Sequence, residues 1–304
     1  MLMLEANIIW LIFWFMISVL FIVDIYISIT TSITIKTSLI ITLVFIVFAM
    51  IFGGIISLVD QKAGIEFFTG YFIEKSLSLD NIFVIKVIFD HFNIPKEKQH
   101  KVLMIGVISA LVLRAIMIWG GIILITKFNW VMQIFAVILL FSGLKMLFSK
   151  KDVKKEVESG FFLKLLDRKE LLANNLNHFF VRNNGRIKAT KLLGALLAIE
   201  FADVVFAIDS IPAIFAITNN QMIVYSSNIF AILGLRALYN VLADLGSKFH
   251  YLNYALAFIL CYIGFKILLM NFVHIPIIVS LIVIFFSIFI AVVVSIFSKT
   301  SISK

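Results

Sequence analysis

Cysteine is almost missing: Cys261 is the single one in 304 residues. It lies in an apolar run, so neither a disulfide framework nor a thiolate metal site has material. Charge is scarce too, at 14% of residues against 62% hydrophobic, which excludes an ordinary soluble composition. The five histidines, His91, His100, His178, His250 and His274, fall in loops or at segment boundaries, and none is read as a ligand. No nucleophile–base pair, phosphate-binding glycine loop or metalloprotease signature is present. Glu74 and Lys75 are adjacent, and neighbours on a helix point about 100° apart, so they make no hydrolytic pair. An enzyme is not expected. The net charge of +9 would suit nucleic acid, but no basic module with interleaved aromatics carries it.

What the chain has in quantity is apolar runs of about 20 residues, the length that crosses a hydrocarbon core. They predict an all-α membrane protein, one polytopic domain over 1–304. About nine transmembrane helices are expected, at 8–29, 37–59, 66–90, 102–126, 130–148, 191–217, 223–245, 251–270 and 275–297. The first reads as a span rather than a cleaved signal, since Glu5 stands where a basic start belongs and no small-residue cleavage site follows. Of the 26 Lys and Arg residues, 18 fall in loops on one side and only Lys62 and Lys127 on the other. That bias places the N-terminus outside and the C-terminus in the cytoplasm, in the cytoplasmic (inner) membrane. The basic, polar segment 149–190 is then a cytoplasmic loop, expected to be a solvated linker with one amphipathic helix near 160–172, or a partner-docking region.

Two stretches carry ionisable groups where the lipid phase penalises them by ~2.5–3.5 kcal/mol for an Asp at a helix centre. The first holds Glu74, Asp80 and Asn81; the second holds Glu200, Asp203, Asp209 and Ser210. Each has an acid, five residues, then an Asp followed by a small amide or hydroxyl. Further on, Gly106–Ala115 with Arg114 resembles Asn228–Ala237 with Arg236, and Gly143-Leu-Lys145 resembles Gly264-Phe-Lys266. Spans three to five therefore repeat as spans six to eight, about 66–148 and 191–270. Three spans followed directly by their repeat must enter from the opposite face, the inverted-repeat arrangement of secondary transporters.

Glu200 and Asp203 share a helix face at about 5–6 Å. Asp203 and Asp209 are six apart, about 120° off a common face, and so are Glu74 and Asp80. Either each helix aims its acids at two neighbours or it is broken between them, and Pro212 favours a break in the second. The donors are all oxygen: carboxylates, Asn81 and Ser210, with Asn228 and Asn240 nearby. Hard oxygen sites suit Mg²⁺, Ca²⁺ or Mn²⁺ rather than Cu(I) or Zn²⁺. Clustered carboxylates in low dielectric also hold protons more tightly, which lets protons compete with a metal. The bland alternative is a set of ion pairs with Arg114, Arg236 and Lys75, and pairing with the acids is the expected role of both arginines. Lys86, Lys145 and Lys266 near span ends are read as snorkelling. Asp24 and Asp244 are placed at the interface, and the many Phe residues in packing or against lipid.

The motifs Phe68-Thr-Gly-Tyr71 with Glu74-Lys-Ser-Leu-Ser-Leu-Asp80-Asn81, Ala110–Ala115, Phe206–Ala213, Ser227–Leu238 and His250-Tyr-Leu resemble the TerC family of integral membrane proteins from roughly 60 to 295. The family was named for tellurium resistance and is grouped with the LysE-type exporters. The resemblance implies manganese export, with Glu74, Asp80, Glu200, Asp203 and Asp209 as the required acids. One departure is Ala202, where the family commonly has a hydroxyl. Tellurite handling has no residue behind it, since an oxyanion calls for a cationic site.

The expected function is export of a divalent cation, first of all Mn²⁺, in exchange for protons. Glu74, Asp80, Asn81, Glu200, Asp203, Asp209 and Ser210 are the candidate metal-binding residues, and no prosthetic cofactor is called for. The alternatives are a Ca²⁺ or Na⁺ exchanger and a non-transporting scaffold acting through 149–190. The orientation is tested directly in a Cys261→Ala background. A cysteine at Lys62 should react in intact cells with an impermeant maleimide and one at Lys248 should not; the reverse pattern would turn the protein over.

Overall fold

The computed structural model describes residues 2–30, 34–128, 130–148, 172–173, 176–183, 186–242, 251–270, 272–273 and 275–297. The helices are α1 (Leu2–Thr30), α2 (Ile35–Val59), α3 (Gln61–His91), α4 (Lys96–Lys127), α5 (Val131–Phe148), α6 (Lys191–Phe215), α7 (Gln221–Ile232), α8 (Leu235–Leu242), α9 (Leu252–Leu269) and α10 (Ile277–Phe297). Seven stretches among the described residues are long and apolar enough to cross a membrane, with α7 and α8 together making one of them. Two further helices, α3 and α6, cover expected spans of similar length. They fall outside that set because of their own ionisable residues: Glu74, Lys75 and Asp80 in one, Glu200, Asp203 and Asp209 in the other.

Side-chain spacing explains how each helix sits. On α4, Gly106, Ala110, Arg114 and Ile118 form a buried stripe at four-residue intervals, while Ile108, Val112, Ile116 and Trp119 form an exposed one. On α6 the exposed stripe is Leu197, Phe201, Val205 and Ile208. Such faces are what a helix turned toward lipid on one side presents. Helix α7 is buried almost all round, from Ile223 to Ile232, and packs against α3 at the centre of the bundle. Gly70 permits that approach: a Cβ there would stand 2.8 Å from Ser227 Oγ.

The helix ends obey capping chemistry. Asp60 closes α2 and opens α3, its Oδ1 accepting from the Lys62 and Ala63 amides at 2.8 and 3.2 Å. Asn220 Oδ1 accepts from the Met222 amide at the start of α7. Such caps satisfy donors that a helix start leaves without partners.

Three expectations are corrected here. The span 223–245 is not one helix, because Gly234 at φ +80° separates α7 from α8; that conformation is cheap only for glycine, and a Cβ would also meet the Phe45 ring at 3.0 Å. Pro212 does not break α6, which runs on to Phe215. The missing amide falls in the last turn, where the cost is a single bond. The chain is also not purely α. Part of the expected linker forms a three-stranded sheet, β1 (Leu172–Ala173), β2 (Phe180–Asn183) and β3 (Arg186–Thr190), in the order β1-β3-β2. In it β1 runs parallel to β3, and β2 pairs antiparallel with β3 from Phe180↔Ala189 to Asn183↔Arg186. The sheet is fastened to α4 by Lys101, which donates to the Asn177 carbonyl at 3.1 Å and lies over the Phe179 ring. The helix expected near 160–172 lies, up to residue 171, outside the described residues, as do Asp244, Lys248, His250 and His274.

Helices α5 and α9 pack closely against each other, and two glycines allow it. A Cβ on Gly143 would stand 2.8 Å from the Ala257 carbonyl and 2.6 Å from Cys261 Sγ; one on Gly264 would stand 3.0 Å from the Ala136 carbonyl and 2.8 Å from Leu140 Cγ. The two sets are reciprocal, each partner lying 121 positions from its counterpart. Gly143→Val and Gly264→Val should each destabilise the protein by at least ~1–3 kcal/mol through overpacking. Gly120→Ala, with nothing within 4 Å of its Cβ, should be neutral or stabilising by ~0.5–1 kcal/mol. Thermal unfolding in detergent distinguishes the two classes.

Candidate functional site

Among the described residues, Arg114 is the largest side chain that the fold buries completely. It sits on the inner stripe of α4, and three other helices supply its partners. From α6, Asp203 accepts two bonds side-on, Oδ1 from Nη2 at 2.7 Å and Oδ2 from Nε at 3.2 Å. From α3, Glu74 Oε1 accepts from Nη1. From α7, Asn228 Oδ1 accepts from the same Nη1 at 3.0 Å, while its own Nδ2 donates to the Val224 carbonyl. A guanidinium offers five N–H groups in a rigid fork, which is why one arginine can bridge this many acceptors.

Beside this clamp is a cavity of about 40 Å³, room for an ion with water. Its polar lining is Asn81, Glu200 and Asp203. Glu200 Oε1 lies 2.6 Å from Ser109 Oγ, and Gly106 leaves the space for it, since a Cβ there would come within 3.4 Å of that oxygen. Glu200 Oε2 and Asn81 Oδ1 are buried without a hydrogen-bond partner, as are Glu74 Oε2 and Ser210 Oγ. Buried oxygens without donors are costly, and two of these residues, Glu200 and Asn81, line the cavity. Ile232 and Leu235, on either side of the Gly234 break, close the cavity wall. The carbonyl of Ala231, just before that break, is capped by Lys75 Nζ at 3.1 Å.

The expected site residues are thus only partly brought together. Asn81, Glu200 and Asp203 share the cavity, and Glu74 joins Asp203 through Arg114. Asp209 turns instead toward α5, where Ser142 Oγ donates to its Oδ1 at 2.7 Å. An unbroken α6 therefore aims Asp203 and Asp209 at different neighbours. The Asp80 side chain lies outside the described residues. Among the described residues no group of three or more His, Cys, Asp or Glu could hold a metal ion, so the cavity offers two carboxylates and an amide oxygen. That donor set suits a hard cation that keeps part of its water. The expected pairing of both arginines with the intramembrane acids holds for Arg114 alone. Arg236 binds Asp24 on α1 through Nη2 and has His100 3.2 Å from Nη1. Asp24 is accordingly an interhelical partner, and no spacing rule in the sequence could have joined positions this far apart.

The family model for integral membrane proteins of the TerC family matches residues 59–304. The chain belongs to the TerC family. Several curated relatives agree along most of their length. A Salmonella typhi protein, provisionally named membrane-bound redox modulator Alx, is 47% identical over 75% of this chain and 71% of its own. An uncharacterized membrane protein of Rickettsia felis is 46% identical over 78% and 79%, and one of Rickettsia conorii is 42% identical over 88% and 90%. No solved structure matches. As a TerC protein the chain is an integral, multi-pass membrane protein. The family match begins at the junction of α2 with α3, so it holds the Arg114 clamp and the cavity but not the Asp24 partner of Arg236.

Removing the buried guanidinium should be severe. Arg114→Ala strands Glu74, and loss of one member of a buried pair costs about 3–5 kcal/mol. Pairing it with Glu74→Gln should recover part of that loss in thermal unfolding, because the more deeply buried carboxylate is then neutral and Asp203, at 16% side-chain accessibility, is the one left charged.

Proposed function

We propose that this TerC protein exports a divalent cation across the cytoplasmic membrane, with Mn²⁺ the first candidate and protons as the counter-substrate. The observation that carries the reading is the cavity lined by Asn81, Glu200 and Asp203, with Asn81 Oδ1 and Glu200 Oε2 buried and without hydrogen-bond partners. Three residues with hard oxygen donors on the wall of an otherwise apolar void suit Mn²⁺, Mg²⁺ or Ca²⁺. Glu74 sits behind them across Arg114; Asp209, with Ser142 and the neighbouring Ser210, is a second polar station along α6, and Asp80 a further acid on α3.

One contact at Glu200 supports proton exchange. Ser109 Oγ lies within reach of Glu200 Oε1 and also of the Ile105 carbonyl, at 2.6 and 3.0 Å. An ionised Glu200 accepts from the hydroxyl; a protonated one donates to it while the hydroxyl donates to the carbonyl. Both protonation states are satisfied without rearrangement.

The transport cycle we favour uses nine spans in two inverted repeats, α3–α5 and α6–α9, with the N-terminus outside. The reciprocal packing of Gly143 and Gly264 supports this. So does the pairing of α3 with α7 alongside that of α4 with α6, as exchange of the two repeats requires. The Gly234 break beside the cavity is the kind of discontinuous helix found at such sites. The protein acts on no covalent bond in this reading. A dithiol exchange, which the name of some relatives brings to mind, has no second thiol in this sequence.

Reconstituted in proteoliposomes with an internal pH dye, the wild type should show saturable Mn²⁺ flux with opposite proton movement. Glu200→Gln should cut it by at least about tenfold, the equivalent of ~1.4 kcal/mol, and Asp209→Asn should also impair it. Competition by Ca²⁺ or Na⁺ assigns the preferred ion. Absence of flux for all three ions in folded protein would overturn the transporter and favour a scaffold acting through 149–190.

A further inference from the structure

We infer that Arg114 is a tethered rival of the transported cation: it holds Asp203 while the cavity is empty, and a bound cation draws Asp203 away and unlatches α4 from α6. This rests on the cation-transport reading above and assigns a regulatory part to a residue outside the donor set.

Asp203 belongs to both structures at once. Its two oxygens accept from Arg114 Nε and Nη2, and the same residue lines the cavity beside Asn81 and Glu200. Glu74 is different, with a side chain only 1% accessible against 16% for Asp203. Of the two acids on the guanidinium, Asp203 is the one with somewhere to go. Arg114 can release it without being stranded, because Nη1 keeps both Glu74 Oε1 and Asn228 Oδ1.

Charge accounting gives the same answer. Glu74 and Asp203 bind the guanidinium and Glu200 shares the cavity with Asp203, so these three carboxylates and one arginine carry a formal charge of −2. One divalent cation or two protons neutralise it. With a divalent ion between Glu200 and Asp203, and Arg114 left on Glu74, both subsites become neutral. Without the ion, Asp203 has only Arg114. Arginine suits this role because it stays charged at every accessible pH, so the rival is constant while the carboxylates gain or lose protons. The latch also joins the proposed repeats, Arg114 on α4 to Asp203 on α6, so cation binding and relative movement of the repeats share one ion pair. A ligand shifts such an equilibrium only through its differential contacts with the two states, and here Asp203 is the differential contact.

The test is Mn²⁺ binding to the full-length protein in detergent, read from the electron paramagnetic resonance signal of free Mn²⁺. Glu74→Gln leaves Arg114 wholly to Asp203 and lowers the formal charge to −1, so it should weaken binding. Glu74→Gln with Arg114→Gln restores −2 without the rival, so it should bind more tightly than wild type by about tenfold, within the range seen for coupled sites. In flux measurements the double variant should show a lower KM together with a lower kcat. Opposite signs for the two variants cannot come from a packing role. If the folded double variant binds no better than wild type while wild-type flux is intact, the latch is wrong and the transporter stands. If neither wild type nor variants bind Mn²⁺ or Ca²⁺, both readings fall. Glu74→Gln keeps the guanidinium paired with Asp203, and its predicted sign tests the latch whether or not the double variant folds; tighter or unchanged binding in it would overturn the proposal.

Discussion

A single guanidinium placed among acids in the middle of the bundle is the constraint around which the other features arrange themselves. A buried charge is tolerable only when its partners are in place, so α3, α6 and α7 have to deliver Glu74, Asp203 and Asn228 to α4 together. That requirement fixes the rotation of four helices at once. It also explains the small residues on the inner stripe of α4, where Gly106 and Ala110 leave room beside the clamp. Bulky residues there would fill the void that Asn81 and Glu200 face.

The second constraint is the backbone of α7 and α8. In a lipid environment every exposed carbonyl needs a partner, so a break at Gly234 is sustainable only if the freed groups are satisfied. Lys75 does this for Ala231. The lysine one residue from Glu74 is thus a helix-end cap, with no ion pair to an acid among the described residues. The same break leaves Arg236 pointing at Asp24 and His100, away from the cavity. The two halves carry matching arginines in sequence, yet a single one reaches the centre. That asymmetry is what leaves the central acids in excess of positive charge.

What the sequence by itself determined was the solvent and the placing of charged residues within it. Apolar runs of membrane length, the lopsided lysines and arginines, and acids embedded in two apolar stretches are properties of composition and order, and they led to a multi-pass membrane protein with carboxylates inside its helices. The spacing of Asp203 and Asp209 already required two different neighbours for an unbroken helix. The Gly143 and Gly264 motifs, noticed only as a resemblance, proved to be the close contact of α5 with α9.

The tertiary structure decided which acid meets which partner. Glu74, Arg114, Asp203 and Asn228 come from four helices, and no local period relates positions so far apart in the chain. It also placed the helix break at Gly234 rather than at Pro212. A proline in the last turn forfeits one bond, whereas a glycine at positive φ redirects the backbone, and only the packing of Phe45 against Gly234 shows that this glycine takes up that conformation. The small sheet before α6 was hidden for a similar reason: its short strands are joined across the Leu172–Thr190 segment by pairings that polar, basic sequence does not announce. Composition tells a chain where its charges are costly; only the assembled bundle settles how each one is compensated.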